Sequence, residues 1–273
     1  MTVEAFAKVN LSLEVLGRRP DGYHELRSVV LPITLSDALT FDVAPEGVVE
    51  TDSPYGENDL AVMAAKALRA AGARGGVSIK TVKRIPDGGG LGGGSADAAT
   101  TLLALNEMWN LGRSPEELAS IGAAVGSDVP SLVMAQHYRR PVMMEGRGER
   151  VRLLGGDEIA ALNVGEFIVL ANPRVHSSTA EVYARCRPDS EAAQGLSNGL
   201  QAAACELHPE IAAALDALSA AGAQWVRMTG SGSTVFGFAH DEALASRIAE
   251  EMENDGYASF VVRPLLNTHH VLW

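Results

Sequence analysis

The sequence predicts an α+β protein of two lobes, and three observations lead to this fold class. The chain opens with two alternating apolar segments joined by a Pro-Asp-Gly turn, which indicates a long β-hairpin. A glycine-rich loop, PDGGGLGGGSADAAT at residues 86–100, stands between a strand pattern and a helix pattern. Residues 165–263 follow the order β-α-β-β-α-β with an extra helix, which is typical of a split, ferredoxin-like layer.

The first half of the chain predicts a hairpin, further short strands and three helices. Strand patterns lie at residues 3–15, 26–35, 38–43, 47–51 and 76–86, and helix patterns lie at residues 58–71, 95–111 and 114–125. Ser95 is the predicted N-cap of the second helix, with Asp97 in its first turn. Ser114 and Glu117 predict a capping box at the third.

The second half predicts four strands and four helices. Strand patterns lie at residues 165–173, 224–230, 233–240 and 257–263, and helix patterns lie at residues 178–186, 201–208, 209–222 and 241–254. The boundary between the halves falls within residues 153–165. We therefore predict an N-terminal domain of residues 1–155 and a C-terminal domain of residues 156–273.

The composition is that of a globular protein with an acidic charge. Of the 273 residues, 47% are apolar, and the formal net charge is -12. Nucleic acids and acidic membranes require a basic face, so neither is an expected partner, and an anionic ligand would need positive charge gathered locally.

Cys186 and Cys205 have the spacing of neither a metal site nor a redox pair. Without a long apolar segment or a signal region, a cytoplasmic location is expected.

The glycine-rich loop has several possible functions. Gly88, Gly90 and Gly93 satisfy the dinucleotide pattern G-x-G-x-x-G, but Glu107, at the spacing of the required acid, lies inside a predicted helix. A Walker A loop requires a lysine, which this loop lacks. The remaining readings are a turn needed for close packing and a phosphate site on the amides of a helix N-terminus, where Ser95 could add a hydroxyl. Six glycines within seven residues favour the phosphate site.

Four segments in this order resemble the motifs of the GHMP kinases, small-molecule kinases that bind ATP without a Walker lysine. They are AFAKVNLSL at residues 5–13, the glycine-rich loop, GSDVP at 126–130 and RMTGSGSTVFGF at 227–238. The resemblance spans almost the whole chain. It implies a two-lobed GHMP kinase fold, with a left-over-right mixed sheet and helices in the N-terminal lobe and a ferredoxin-like split βαβ layer in the C-terminal lobe.

Within the family, residues 7–29 and EGRGE at 145–149 resemble one branch. The resemblance implies phosphorylation by ATP of the tertiary 2-hydroxyl of a cytidine-diphosphate-linked methylerythritol in the non-mevalonate isoprenoid pathway, with Mg²⁺ required on charge grounds. Asp128 matches the catalytic aspartate, and Lys8 matches the lysine that would stabilise the reacting oxygen. Taken singly, Lys8 could be an exposed strand residue and Asp128 a helix cap. Lys8 stands among apolar neighbours in mid-strand, so we expect it to have a partner.

The resemblance also implies a substrate site. Asn10 lies on the same strand face as Lys8 and would orient the substrate or the base. Tyr23 and His24 match a pair in which the ring stacks on cytosine and the histidine contacts its polar edge. Tyr183 matches the opposing ring, so the base is expected between Tyr23 and Tyr183, and Thr179 matches a polar position nearby.

The ATP site implied by the resemblance centres on the glycine-rich loop, is closed by the GSGS loop of the second half and has Asn58 or Asp59 near the adenine. No motif identifies the metal ligands. The expected ATP-binding residues are Lys83, Pro86, Gly88, Gly89, Gly90, Leu91, Gly92, Gly93, Gly94, Ser95, Ala96, Gly230 and Ser231.

The chain also departs from its relatives at several places. Ala96 stands where a second serine is usual, NGLQ at 198–201 replaces NDLE, the segment at 184–197 is short, and NTHHVLW at 267–273 is unusual. Two alternatives stay open: a GHMP kinase for another alcohol, such as a mevalonate-type or homoserine-type substrate, and a nucleotide-binding module without turnover. Small molecules are the expected partners, and the chain is either a monomer or a homodimer.

Overall fold

The amino-terminal hairpin is the central element of the structure, a computed structural model that describes residues 1–187 and 198–266. Strand β1 (Thr2–Arg18) pairs antiparallel with β2 (His24–Ala44). The segments predicted at 26–35 and 38–43 therefore form one strand. Pro32 is tolerated within it because the pairing register shifts between Phe6 and Lys8, which lies opposite Pro32. The unusual segment 267–273 and most of the short segment 184–197 lie outside the described residues.

The hairpin belongs to a six-stranded sheet. The other strands are β3 (Val49–Thr51), β4 (Gly76–Val82), β5 (Val142–Gly146) and β6 (Arg150–Leu153). The order is β3-β4-β2-β5-β6, with β1 paired to β2; β3 and β4 are parallel and the other pairs antiparallel. The predicted mixed sheet is confirmed. The sequence analysis did not predict β5 and β6, because their methionine and charged residues have weak strand preference.

Four helices cover this sheet. They are α1 (Leu60–Ala70), which follows a 3₁₀ turn at Gly56–Asn58, then α2 (Gly93–Met108), α3 (Pro115–Gly122) and α4 (Val129–Tyr138). Ser114 and Glu117 form the predicted capping box at α3. Helix α4 was not predicted: its residues 129–136 are all buried, so the segment lacks the alternation of polar and apolar faces that marks a surface helix.

A second lobe follows the short helix α5 (Gly156–Ala161). Its strands are β7 (Phe167–Asn172), β8 (Gln224–Met228), β9 (Val235–Ala239) and β10 (Ala258–Val262), and its helices are α6 (Thr179–Arg185), α7 (Gln201–Leu207), α8 (Pro209–Ala220) and α9 (Glu242–Asn254). The strands form an antiparallel sheet in the order β10-β7-β9-β8. This order confirms the predicted ferredoxin-like layer.

Two apolar cores hold the lobes together. The larger core is formed by β1, β2 and α1 to α4, but it also takes in Ile168 and Phe236 from the second lobe. The smaller core lies under the second sheet and takes in Leu13 and Leu26 from the hairpin. Each lobe therefore completes its core with side chains of the other. The domain division between residues 155 and 156, at the start of α5, stays a prediction.

None of the helices in residues 1–187 and 198–266 has the length and apolar character that a bilayer crossing requires.

Gln136 connects three elements of the first lobe. Its side chain is fully buried; Nε2 donates to the Ala96 carbonyl oxygen on α2 (3.2 Å), and Oε1 accepts from Thr100 Oγ1 (2.8 Å) and from the Phe6 amide on β1 (3.3 Å). These bonds satisfy the buried amide and fix α4 relative to α2 and β1.

We expect Gln136→Leu to lower the free energy of unfolding by about 1–3 kcal/mol, because the change leaves buried polar groups on β1 and α2 without partners. Urea unfolding would measure the loss. Thr101→Val is the matched control, since this buried hydroxyl donates to the Asp97 carbonyl oxygen of its own helix at 2.8 Å, and this bond therefore connects no second element. Equal losses in the two variants would contradict the connecting role of Gln136.

Candidate active site

A cavity of about 1150 Å³ lies where the hairpin, the glycine-rich loop, the start of α4 and two loops of the second lobe meet. It brings together residues from all four sequence motifs. Leu91, Ala96 and Lys83 are not among its lining residues, whereas the following predicted site residues are: Lys8, Asn10, Tyr23, His24, Pro86, Gly88, Gly89, Gly90, Gly92, Gly93, Gly94, Ser95, Asp128, Thr179, Tyr183, Gly230 and Ser231.

The glycine-rich loop needs its glycines for conformation and for space. Gly88, Gly90 and Gly92 all have positive φ, at 64°, 75° and 71°. A Cβ at Gly90 would lie 2.2 Å from the Thr229 carbonyl oxygen, so the loop packs directly against the second lobe. Thr234 reinforces this contact, because its amide donates to the Gly89 carbonyl oxygen at 3.1 Å.

Helix α2 begins earlier than predicted. Its first residue is Gly93, and Gly92 occupies the N-cap position in the left-handed conformation, so the prediction that Ser95 is the N-cap is wrong. The amides of residues 93–95 are the first of the helix and lack intrahelical acceptors, while the Ala96 amide already bonds to the Gly92 carbonyl oxygen. Because Gly93, Gly94 and Ser95 line the cavity, the positive end of α2 faces it.

Lys8 is buried in β1 with only 3% of its surface exposed. Its ammonium donates to Asn10 Oδ1 at 2.6 Å and to the Gly90 carbonyl oxygen at 2.8 Å, and lies 3.5 Å from Asp128 Oδ2. The expected partners are therefore present. Space for the side chain depends on glycine, since a Cβ at Gly92 would lie 3.1 Å from Lys8 Cε and one at Gly230 would lie 3.3 Å from Nζ.

Asp128 stands immediately before α4, but its side chain does not cap the helix. Its main-chain carbonyl oxygen accepts from Ser131 Oγ at 2.8 Å and from the Leu132 amide at 3.1 Å, which fixes the backbone at this point. The carboxylate is 35% exposed, lines the cavity and faces Lys8. It is thus a partly exposed carboxylate beside a buried cation.

Asn10 orients Lys8. Its Oδ1 accepts from the ammonium, its Nδ2 donates to Ser28 Oγ at 2.8 Å, and its backbone amide donates to Thr229 Oγ1 at 3.0 Å. The side-chain amide is therefore held at both ends, and the shared face predicted for Lys8 and Asn10 is observed. Ser28 and Thr229 were not predicted individually as site residues, because their contribution depends on contacts between distant segments.

The three aromatic residues expected to contact the base all line the cavity. The rings of His24 and Tyr183 stack at a centroid distance of 5.0 Å and an angle of 28°. Tyr23 is 52% exposed, and the Arg147 guanidinium lies 5.2 Å from its ring centroid. The ring that contacts Tyr183 in this structure is thus that of His24, and the position of a base between Tyr23 and Tyr183 stays a prediction. Burial and the charge of Arg18 lower the pKa of His24, so its ring is neutral at pH 7.

Hydroxyl groups connect Thr179 with the GSGS loop. Thr179, the first residue of α6, places Oγ1 2.8 Å from Ser231 Oγ, and Ser177 Oγ donates to the Ser231 carbonyl oxygen at 2.7 Å. Asn198 Nδ2 supports the same loop by donating to the Gly230 carbonyl oxygen at 2.9 Å. These bonds position the loop against the cavity.

Lys83 is held by two buried carboxylates. Its ammonium lies 2.5 Å from Asp37 Oδ2 and 2.8 Å from Asp97 Oδ2. Asp97 is the fifth residue of α2 and is buried, so its predicted place in the first helical turn is wrong. Burial raises the pKa of Asp97 to about 7, against the opposing charge of Lys83.

Asp59, expected near the adenine, caps α1 by accepting from the Ala61 amide at 2.8 Å.

Comparison with known proteins agrees with this architecture. The family described as "GHMP kinases N terminal domain" matches residues 59–136, and "GHMP kinases C terminal" matches residues 186–258. A "4-diphosphocytidyl-2-C-methyl-D-erythritol kinase" of Geobacter sp. (strain M21) is 39% identical, covering 95% of this chain and 97% of its own. The chain belongs to the GHMP kinase family. It is therefore a kinase, and ATP is its co-substrate.

Other relatives of this GHMP kinase extend the comparison. A protein of the same name from Aromatoleum aromaticum (strain DSM 19018 / LMG 30748 / EbN1) is 43% identical over 89% of this chain and 86% of its own. A crystal structure of 4-(cytidine 5'-diphospho)-2C-methyl-D-erythritol kinase superposes with a TM-score of 0.84 at 33% identity, covering 98% of this chain and all of the other. The mevalonate kinase of Methanococcus jannaschii shares the fold, with a TM-score of 0.70 at 16% identity and 98% coverage of each chain.

The departure at Ala96 affects the core of this GHMP kinase rather than the cavity surface. Ala96 is fully buried and does not line the cavity, whereas the neighbouring Ser95 does. In the NGLQ segment, Gln201 Oε1 accepts from the Met228 amide at 2.9 Å, and the Gly199 amide donates to the Leu13 carbonyl oxygen at 2.7 Å. Both departing positions thus have defined contacts.

Asp97 makes the stability of the protein depend on pH. Its folded-state pKa of about 7 exceeds the 3.8 of the free side chain, so the folded protein binds more protons between these values. The contribution of Asp97 to the free energy of unfolding is therefore complete below pH 3.8 and is lost as the pH rises through about 7.

We expect the free energy of unfolding of the wild type to fall relative to that of Asp97→Asn between about pH 4 and pH 7, by at most about 1.4 kcal/mol per pH unit. Urea unfolding across this range would measure the difference. Asp157→Asn, at an exposed position of α5, is the control. Parallel curves for the wild type and Asp97→Asn would contradict the raised pKa.

Proposed function

We propose that this chain transfers the γ-phosphoryl group of ATP to the tertiary 2-hydroxyl of 4-diphosphocytidyl-2-C-methyl-D-erythritol, a step of the non-mevalonate route to isoprenoid precursors. The observation that carries the proposal is that the Lys8–Asp128 pair, the N-terminus of α2 and the His24–Tyr183 stack line one cavity. The names of relatives at 39% and 43% identity support the same acceptor.

The transfer needs a general base, a cation near the acceptor oxygen and a binding site for the phosphates of ATP. Asp128 accepts the proton of the acceptor hydroxyl, and the ammonium of Lys8, 3.5 Å from Oδ2, stabilises the oxygen as this proton leaves. Asn10 keeps the ammonium in place by accepting from it at 2.6 Å. The amides at the start of α2 bind the phosphates of ATP, and the loop of Gly230 and Ser231 covers them from the second lobe.

Mg²⁺ fits these residues as an ion held mainly by phosphate. Among residues 1–187 and 198–266, no group of three or more His, Cys, Asp or Glu side chains could hold a metal by itself. Ser95 lines the cavity on the first turn of α2, and nucleotide-bound Mg²⁺ commonly combines a protein hydroxyl with phosphate and water oxygens. Ser95 would hold the ion, which when bound would neutralise phosphate charge.

The cytidine group is recognised by the aromatic residues. Tyr23, His24 and Tyr183 line the part of the cavity formed by the hairpin turn and α6. A neutral imidazole offers one donor and one acceptor, which suits the polar edge of cytosine. Stacking on either tyrosine would contribute about 1–3 kcal/mol. The cytoplasmic location stays a prediction of the sequence, and the choice between monomer and homodimer stays open.

We expect Asp128→Asn to lower kcat by about 10²–10⁴-fold while the KM for ATP stays within a few-fold, because the amide cannot accept the proton. A coupled ADP-release assay would measure both constants. Asp87→Asn is the matched control, since this carboxylate also lines the cavity but interacts with Tyr55 Oη at 3.4 Å. Turnover of Asp128→Asn equal to that of Asp87→Asn would refute the assignment of the base.

The acceptor is tested by comparing 4-diphosphocytidyl-2-C-methyl-D-erythritol with 2-C-methyl-D-erythritol 4-phosphate, which lacks cytidine. We expect kcat/KM to be at least about tenfold higher for the first, since the second loses base stacking. The same ADP-release assay supplies the values, with mevalonate and homoserine as further acceptors. Equal values for the two methylerythritol compounds, or preferred turnover of mevalonate or homoserine, would overturn the proposed substrate.

A further inference from the structure

The turn between β5 and β6 brings a cation to the cavity that Lys8 and Asp128 line. Gly148, in this turn, has a φ of 120°, and a Cβ there would lie 2.1 Å from the Ser127 carbonyl oxygen. The turn therefore packs directly on the residue that precedes Asp128. The Glu149 carboxylate accepts from the Arg147 amide at 2.6 Å, which fixes the backbone from which the Arg147 side chain extends.

The Arg147 side chain reaches from this turn to the hairpin. Its guanidinium carbon lies 5.2 Å from the ring centroid of Tyr23, and the residue lines the main cavity together with Ser127 and Asp128. It also lines a smaller adjoining cavity of about 290 Å³ at the end of α3. Arg147 thus lies over the ring assigned to the nucleobase and shares the cavity with the carboxylate assigned to the acceptor hydroxyl.

Arg147 has no close ion pair among the described residues, although its charge is one of several influences that help to lower the pKa of Asp21 on the hairpin turn. In the part of the chain that the structure describes, Arg147 has no ion pair within 4 Å, whereas Lys8 faces Asp128. Arg18 is the other cavity-lining arginine without such a pair. In a protein with a net charge of -12, exposed arginines at a cavity provide the local positive charge that an anionic ligand requires.

We infer that Arg147 binds the diphosphate that joins the nucleoside to the polyol in the acceptor. This inference rests on the proposed function, because it requires an acceptor whose anionic linker lies between a stacked base and the reacting hydroxyl. A guanidinium that lies over an aromatic ring keeps its N–H donors in its own plane, and these donors match the oxygens of a phosphate. One side chain would therefore hold the Tyr23 ring and the diphosphate together.

The test compares the binding of cytidine with that of cytidine 5'-diphosphate. Isothermal titration calorimetry would be done with the full chain, with the ATP site saturated by a non-hydrolysable ATP analogue so that neither probe occupies it. We expect the diphosphate to bind the wild type at least about tenfold more tightly than cytidine. In Arg147→Gln this ratio should fall about tenfold, while the dissociation constant of cytidine stays within about twofold.

Control variants separate this role from others. Arg150→Gln removes a nearby arginine that pairs with Glu25 at 2.6 Å and does not line the cavity, so its ratio should equal that of the wild type. Arg147→Lys keeps the charge but not the planar fork, so its ratio should be intermediate. Because Arg147 and Arg150 are both exposed, thermal unfolding should show all three variants to be folded.

Three results would overturn the inference. If Arg147→Gln weakens both probes equally, Arg147 only supports Tyr23. If Arg147→Gln leaves the ratio of the two dissociation constants unchanged while Arg18→Gln lowers that ratio to about one, the diphosphate binds at the end of β1 instead. If the wild type binds neither probe, the proposed cytidine-containing substrate fails as well, and this result is distinct from the first two.

Discussion

The site depends on the burial of one ammonium group. A charged lysine with 3% exposure is stable only when polar groups surround it, and Lys8 obtains them from three separate segments: its own strand, the glycine-rich loop and the start of α4. The surrounding glycines fit the same constraint, because a Cβ at residue 92 or 230 would crowd the lysine side chain at 3.1 Å or its ammonium at 3.3 Å. The lysine is therefore tightly packed where the two lobes meet.

In the proposed mechanism, the same contacts couple phosphate binding to the acceptor side of the cavity. The Gly90 carbonyl oxygen accepts from Lys8, while three residues later the backbone enters α2 and presents free amides to the cavity. Thr229 joins this arrangement from the second lobe, accepting from the Asn10 amide. A displacement of the glycine-rich loop would thus move the Lys8 ammonium. In the proposed mechanism the site needs no Walker lysine, because helix amides would bind the nucleotide while Lys8 would serve the acceptor.

Much of this arrangement could be predicted from the sequence, because its signals are local. The hairpin, the ferredoxin-like order and the capping box of α3 depend on alternation, turn residues and caps within a few positions. What escaped prediction depends on distant contacts. Helix α4 is buried on all sides and carries no helical periodicity, and the Lys83 cluster joins Asp37 to a residue 60 positions further along, Asp97. Ser95 looked like a cap because it is the first capping residue after the glycines, yet Gly92 reaches the left-handed conformation and starts the helix earlier.

Motif resemblance identifies aromatic residues that line the cavity, and the structure adds which of their side chains contact one another. Tyr23, His24 and Tyr183 all lie at the cavity, but the observed stack pairs Tyr183 with His24 and leaves Tyr23 beneath Arg147. An aromatic ring lowers its free energy by contacting whichever flat or cationic neighbour lies within reach, and several neighbours here satisfy that condition. The position of a strand or helix is fixed by a large buried core, whereas the rotamer of an exposed ring is decided by a few weak contacts. The sequence pattern therefore determines the scaffold. The rotamers of the aromatic residues are determined by whichever contact is strongest, and a bound base would have to supply that contact to fix them around itself.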